Sequence, residues 1–213
     1  MAADYDMTIM QVTHNALRRD LRHLGDAAER LDPGDARGRA AVGLGWTTLK
    51  AMLTSHHEGE DKHMWPRMRA GLGGDPDGLA VLAAMEAEHG RIDPLIAAVD
   101  TALAKGDAGA MAAAAVAFGD EVAAHLRHEE REALPLVRVA MSAAAWDKVM
   151  VDMRGNGLAA LKSAPEFFPW LIGEADPADR AAVLTRVPPP LRLLYAKVWL
   201  PRYARQPRWH GGR

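Results

Sequence analysis

Two segments of the sequence carry a histidine and a glutamate four residues apart. His56 and Glu60 form one pair, and His125 and Glu129 form the other. At 3.6 residues per turn, positions i and i+4 of a helix project from the same face, about 6 Å apart. An imidazole nitrogen and a carboxylate oxygen at that spacing can bind one metal ion or two adjacent ions. One such pair is common on a charged helix face, so the interpretation depends on whether the two pairs meet in the fold.

The elements that must position these pairs are predicted to be four long helices. Helix-favouring residues fill the first two-thirds of the chain, and Gly, Pro and Asp are grouped at three breaks. The predicted helices cover about residues 7–31, 37–70, 78–105 and 108–140. Short connections between long helices favour an all-α fold, an up-down-up-down antiparallel four-helix bundle over residues 1–141.

The positions of the candidate ligands along these helices agree with one another. At 1.5 Å per residue, His14 and His56 each lie roughly 27 Å from the loop that joins the first two helices. Glu60, His89 and His125 match in height across the next two loops in the same way. Apolar residues at helical spacing flank each candidate, so all of them are predicted to face the core. Buried carboxylates need a cation or a change of protonation, and a metal pair meets that need.

The rest of the composition excludes several other kinds of site. The chain of 213 residues has no cysteine and nine histidines, so a metal must be held by nitrogen and oxygen. No apolar run is long enough to span a bilayer, and the acidic N-terminus lacks the pattern of a secretory leader. We therefore expect a cytoplasmic protein that contacts neither membrane nor nucleic acid.

Residues 142–213 are predicted to form a proline-rich helical extension that packs on the bundle. Eight of the thirteen prolines lie there, and helices are expected from Ser142, after Pro177 and over residues 191–203. Residues 186–213 contain seven basic residues and no acidic one, whereas the remainder has 19 basic and 28 acidic residues. Docking of the last helix on the acidic bundle is the favoured interpretation, and binding of a partner is the alternative.

The order of these candidates resembles that of the hemerythrin-like domain, also called the HHE cation-binding domain, over about residues 8–140. The resemblance implies a non-haem di-iron centre with an oxo or hydroxo bridge, in which Glu60 and Glu129 bridge the irons. The terminal ligands it implies are His14, His56, His89 and His125. These ligand types also suit manganese or zinc, and the resemblance favours iron.

One position departs from the pattern of the oxygen-carrying hemerythrins, in which the third helix supplies two histidines four residues apart. Here the residue four positions after His89 is Asp93. Asp93 could be a ligand, an acceptor for an imidazole N–H or a helix-boundary residue, and we favour the acceptor. Reversible oxygen transport is therefore not expected.

Helical phase excludes several other polar residues from the ligand set, because they lie about 100° around the helix from a ligand. They are His57, Glu58, Asp61, His128 and Glu130, of which Glu58 could become a ligand if its helix loosens. Three further histidines, His23, His63 and His210, are predicted to lie at the surface. Trp46 and Trp65 are predicted to pack in the core, although they could line a route to the metals.

These observations predict a di-iron protein that binds or senses a small oxidant, such as dioxygen, peroxide or nitric oxide. One alternative is a di-iron enzyme, either a peroxidase or a nitric-oxide-reducing protein with a redox partner. Another alternative is an iron- or oxygen-responsive regulatory module that binds a partner through the basic C-terminal helix.

Overall fold

The computed structural model describes residues 5–155 and 158–210, and all the regular structure in those residues is helical. Residues 1–4, which carry the expectation about a leader, lie outside the described residues, as do 156–157 and 211–213. The predicted all-α class is confirmed. The up-and-down order of the helices stays a prediction. In the described part of the chain, no helix is both long enough and apolar enough to cross a membrane.

Residues 8–140 form four helical segments, consistent with a helical bundle. The first and third are single helices, α1 (Thr8–Glu29) and α4 (Pro76–Lys105). In the second segment, α2 (Ala36–Gly59) continues through a π-helical turn, Glu60–Met64, into α3 (Trp65–Leu72). In the fourth, α5 (Ala108–His128) continues through a second π-helical turn, Glu129–Ala133, into α6 (Leu134–Ala140).

Aspartates begin three of these helices and explain their start points. The side chain of Asp35 accepts a hydrogen bond from the N–H of Arg37, and Asp107 accepts one from Ala110. Asp75 accepts from two N–H groups of the first turn of α4. Each cap satisfies backbone donors that have no partner within the helix.

Both π-helical turns have the same local cause, a proline two residues after the end of the turn. Pro66 and Pro135 lack an N–H, and their rings would clash with the carbonyl four residues earlier in a regular α-helix. The wider turn avoids that clash, because the N–H of Trp65 donates to the carbonyl of Glu60, five residues back. Leu134 donates to Glu129 in the same way.

The apolar core consists of two clusters with a polar layer between them. One cluster contains Leu53 and Trp46 of α2 with Phe118 of α5, and the other contains Trp65 and Met85. On α2 and the turn that follows it, the candidate ligands lie between these two sets of apolar residues. Trp46 and Trp65 are each at most 1% exposed, as expected of core residues.

After position 142, the residues that the structure describes form five further helices and a third π-helical turn. These are α7 (Ala143–Arg154), α8 (Leu158–Ile172), α9 (Pro177–Thr185), α10 (Pro189–Leu194), the turn Tyr195–Trp199 and α11 (Leu200–Ala204). Helix α8 is not among the predicted helices, because Pro165 and Pro169 indicate breaks. Both prolines nevertheless lie inside it, and its last turn is held by the burial of its apolar side chains, Trp170, Leu171 and Ile172.

Hydrogen bonds and close packing join the C-terminal residues to the bundle at several points. Arg19 of α1 donates to the carbonyl of Trp170 at 2.8 Å, and the indole N–H of Trp170 donates to Asp20 at 2.9 Å. Near the C-terminus, the N–H of Trp209 donates to the carbonyl of Ala41. The Trp209 ring lies so close to Gly45 that a side chain there would overlap it.

Candidate metal centre

All six residues predicted to be ligands lie in one buried cluster at the polar layer. None of them is more than 8% exposed, and His14, Glu60 and Glu129 are fully buried. The two glutamates are the first residues of the two π-helical turns. Each predicted histidine–glutamate pair therefore spans the junction between an α-helix and a π-helical turn.

The side chains form two groups, each able to surround one ion. One group is His14, His56, Glu60 and Glu129, and the other is His57, Glu60, His89 and His125. Within each group, one nitrogen or oxygen of every side chain lies within 4.8 Å of the others. Glu60 belongs to both groups, so its two oxygens can face two adjacent ions.

Ring nitrogens point at each other inside both groups. The Nε2 atoms of His14 and His56 are 3.1 Å apart, and those of His89 and His125 are 3.2 Å apart. At most one nitrogen of each neutral pair can carry the hydrogen between them. A cation at the point where the lone pairs converge would bind both, so this geometry fits metal coordination.

The carboxylates provide an independent test of whether a cation fits. All four oxygens of Glu60 and Glu129 are buried and make no hydrogen bond within the described residues. Leaving charged oxygens in that state is costly, whereas a bound cation would satisfy them. The residues present therefore fit a metal pair.

The pKa values show how the protein balances these charges without a cation. Burial and the nearby charge of Glu129 raise the pKa of Glu60 well above its usual range. Burial opposes ionisation of Glu129 too, but the neighbouring His14 outweighs burial and lowers the pKa of Glu129 to about 2. Burial opposes protonation of His14, yet Glu129 and Glu130 raise the pKa of His14 to about 9. Without a cation, a proton on Glu60 therefore neutralises that carboxylate, and a proton on His14 makes the ring positive beside Glu129.

Three of the histidines are oriented by a carboxylate on their outer nitrogen. His14 Nδ1 lies 2.8 Å from Glu130, and His89 Nδ1 lies 2.9 Å from Asp61. His125 Nδ1 lies 2.9 Å from Glu88. Because a carboxylate only accepts, each Nδ1 donates its hydrogen outward, so the Nε2 lone pair of each neutral ring faces the cluster. His14 reaches that state only after it loses its second proton, which Nε2 carries.

His57 lies in the cluster, which contradicts the exclusion made from helical phase. Its ring stacks on that of His89 with centroids 3.9 Å apart, and its buried Nε2 makes no hydrogen bond in the described structure. Burial, followed by the charge of His89, lowers the pKa of His57 well below its usual range and keeps the ring neutral. The helical-phase argument assumed that all ligands point in one direction from the helix. Helix α2 instead borders two groups, and its successive histidines, His56 and His57, belong to one group each.

Asp93 does not occupy the position expected for an imidazole acceptor. It is exposed, and Asp61 contacts His89 instead. Glu58 is also exposed. Glu88, which the sequence analysis did not single out as a partner, contacts both His125 and His128. Its position next to His89 in the sequence was the available signal.

The other histidines lie away from both groups. His63 is half-buried on the first π-helical turn, and His210 is exposed. His23 is not a simple surface residue, because it contacts Glu174 at 3.0 Å and stacks on Trp209.

Comparison with known families agrees with this geometry. A family model described as "Hemerythrin HHE cation binding domain" matches residues 7–137, which is more than half of the chain and covers both metal groups. No curated protein and no solved structure gives a match.

Proposed function

We propose, from the premise that this chain belongs to the hemerythrin family of HHE cation-binding domains, that its bundle holds two iron ions and binds a small oxidant there. The observation that supports this most directly is Glu60, a fully buried carboxylate whose oxygens make no hydrogen bond in the described structure and which belongs to two groups of ligand atoms. A buried carboxylate with that arrangement is suited to bridging two cations. Glu129 would bind the ion nearer to His14.

The two groups differ in composition, which supports different roles for the two ions. The group with His57 has three histidines and one glutamate, whereas the group with His14 has two of each. Seven side chains do not fill the coordination shells of two iron ions, so positions stay open for an exogenous ligand. When bound, the ions would supply Lewis acidity and redox chemistry.

The chain's own residues would restrict what reaches those open positions. Complete burial of His14, Glu60 and Glu129 excludes bulk water and large molecules from the ions. Glu130, which orients His14, is itself held by two hydrogen bonds from Arg18 at 2.8 and 2.7 Å. These contacts fix the imidazole and support a small oxidant as the ligand.

Metal analysis and an optical spectrum of the full-length protein test the proposal. We expect about two irons per chain, from the two groups of ligands, and near-ultraviolet bands of an oxo-bridged ferric pair. Glu60→Gln should remove both ions, because both groups lose a charged ligand. Glu58→Gln is the matched control, since Glu58 is exposed two residues earlier on the same helix.

Two results would contradict the proposal. One is a protein that acquires no metal from an iron-containing medium. The other is a Glu60→Gln variant with unchanged metal content.

If the protein does contain two irons, turnover assays with peroxide and nitric oxide would separate a binding or sensing protein from an enzyme that uses the same centre.

A further inference from the structure

A cavity of about 420 Å³ lies between the bundle and the C-terminal helices. Helices α1 and α2 form one side, and α7 and α8 form the other. The volume lies in the range of small-molecule binding sites. Its wall is mostly apolar and includes four methionines and two phenylalanines: Met10, Met52, Met150, Met153, Phe167 and Phe168. Flexible methionine side chains can adapt to an apolar chain of variable shape.

Two of the residues that line the cavity have ionisable side chains. Arg154 is exposed and is the one lysine, arginine or carboxylate residue among the described residues that line the cavity. Its Nε donates to the carbonyl of Met150 at 3.1 Å, and no carboxylate pairs with it in residues 5–155 and 158–210. The terminal nitrogens of its guanidinium are therefore available to an anion. His56, the second such residue, is 8% exposed and belongs to the candidate metal centre.

We propose that this cavity binds a monocarboxylate with an apolar chain. The carboxylate pairs with Arg154 at the exposed end, and the chain lies along the methionines towards His56. A planar guanidinium matches a carboxylate with two parallel hydrogen bonds. One cation in a mostly apolar wall matches one acidic group, and a dicarboxylate would leave its second charge without a cation to pair with.

The position of His56 gives this ligand site a consequence for the metals. A bound chain that reaches His56 lies beside the group formed with His14, so it should perturb that ion. This consequence rests on the proposed function, whereas binding of the carboxylate does not. Experiments can therefore contradict the binding of the carboxylate and its effect on the metal ion independently.

The test uses full-length protein, both metal-free and iron-loaded, titrated with decanoate in a calorimeter. We expect saturable binding of one decanoate per chain to both forms, with affinity that rises from hexanoate to octanoate to decanoate. Decanol, which has the chain without the charge, should bind at least about tenfold more weakly, as expected for loss of a charge-assisted hydrogen bond. In the iron-loaded form, decanoate should shift the optical bands of the metal centre.

Two variants locate the site. Arg154→Gln should weaken decanoate binding by at least about tenfold and leave decanol binding unchanged. Ala51→Phe should weaken the binding of both decanoate and decanol, because Ala51 lines the cavity and a phenylalanine there would fill part of it. Ala51 is at an exposed position of α2 that tolerates a larger side chain. Arg202→Gln is the control, since Arg202 is exposed and does not line the cavity. Circular dichroism confirms that each variant is folded.

Three results would overturn the proposed site. They are the absence of saturable binding to either form, equal binding of decanol and decanoate, or unchanged decanoate affinity in folded Arg154→Gln. Absence of iron together with decanoate binding to the metal-free protein would instead contradict the proposed function alone. Binding without a spectral shift would place the chain away from His56 and overturn the proposed orientation.

Discussion

Replacement of His57 by alanine should remove one of the two metal ions and leave the other in place. His57 belongs to the group with His89 and His125, and it is absent from the group with His14. The variant therefore separates the two ions, which Glu60→Gln cannot do. It also tests the residue that helical phase assigned to the outside of the cluster.

The expected magnitude follows from the number of ligands in that group. Structural zinc sites with four ligands in small domains bind with about 10–16 kcal/mol, and by that scale one ligand of four accounts for about 3 kcal/mol. At about 1.4 kcal/mol per factor of ten, the loss is roughly 100-fold in affinity for this ion. His89, His125 and Glu60 remain to bind it weakly.

The assay is metal content after dialysis against a graded series of chelator concentrations. We expect His57→Ala to fall from about two irons to about one at a chelator concentration that the unchanged protein tolerates, because the other group stays complete. His63→Ala is the control, because His63 lies six residues further along and belongs to neither group. A His57→Ala protein that retains both ions as tightly as the control would refute the assignment of His57 as a ligand.

Three further predictions concern packing and protons. Gly71→Ala should lower stability by about 1–3 kcal/mol in thermal melts, because the new methyl group would overlap the backbone carbonyl of Ala140 where α3 meets α6; an unchanged Tm would contradict this contact. Gly45→Ala should displace the Trp209 ring, seen as a change in tryptophan fluorescence with metal content unchanged. At pH 7 the metal-free protein carries a proton on His14, whose pKa is about 9, and a histidine must be neutral to bind a metal. Calorimetry in two buffers should therefore detect proton release on iron binding at pH 7, and the contribution of His14 should disappear as the pH rises above about 9.

Much of the bundle follows from the sequence because its signals are local. Asp75 begins α4 as a cap, and the breaks near Gly73 and Gly106 separate the helices where expected. The cluster of six polar residues also follows, because helix rise and helical phase fix the height and direction of each side chain on its own helix. Such arguments require only that the helices are regular and that short loops connect them.

The features that sequence reasoning missed depend on departures from regular helix or on contacts between elements. Pro66 and Pro135 were the signal for the π-helical turns, but a proline can kink, end or widen a helix, and packing decides among these. His57 required knowledge that α2 lies between two groups of ligands. Helix α8 required the burial of Trp170, a contact with residues about 150 positions earlier in the chain.

The third π-helical turn indicates that the following proline, and not a metal ligand, causes this geometry. Tyr195–Trp199 is followed by Leu200 and Pro201, as the other two turns are followed by an apolar residue and a proline, and a buried tyrosine occupies the position of the glutamates. The same local geometry therefore arises without a metal ligand.

The polar layer between the two apolar clusters also has a consequence for the cooperativity of folding. Each cluster has its own set of large buried side chains, and few apolar contacts cross the layer of histidines and carboxylates. Without metal, the half that contains Trp65, Met85 and Trp146 can open while the other half stays folded, so its amide hydrogens should exchange first with solvent. Bound ions would join α1, α2, α4 and α5 at mid-height, so the two halves would exchange and unfold as one unit.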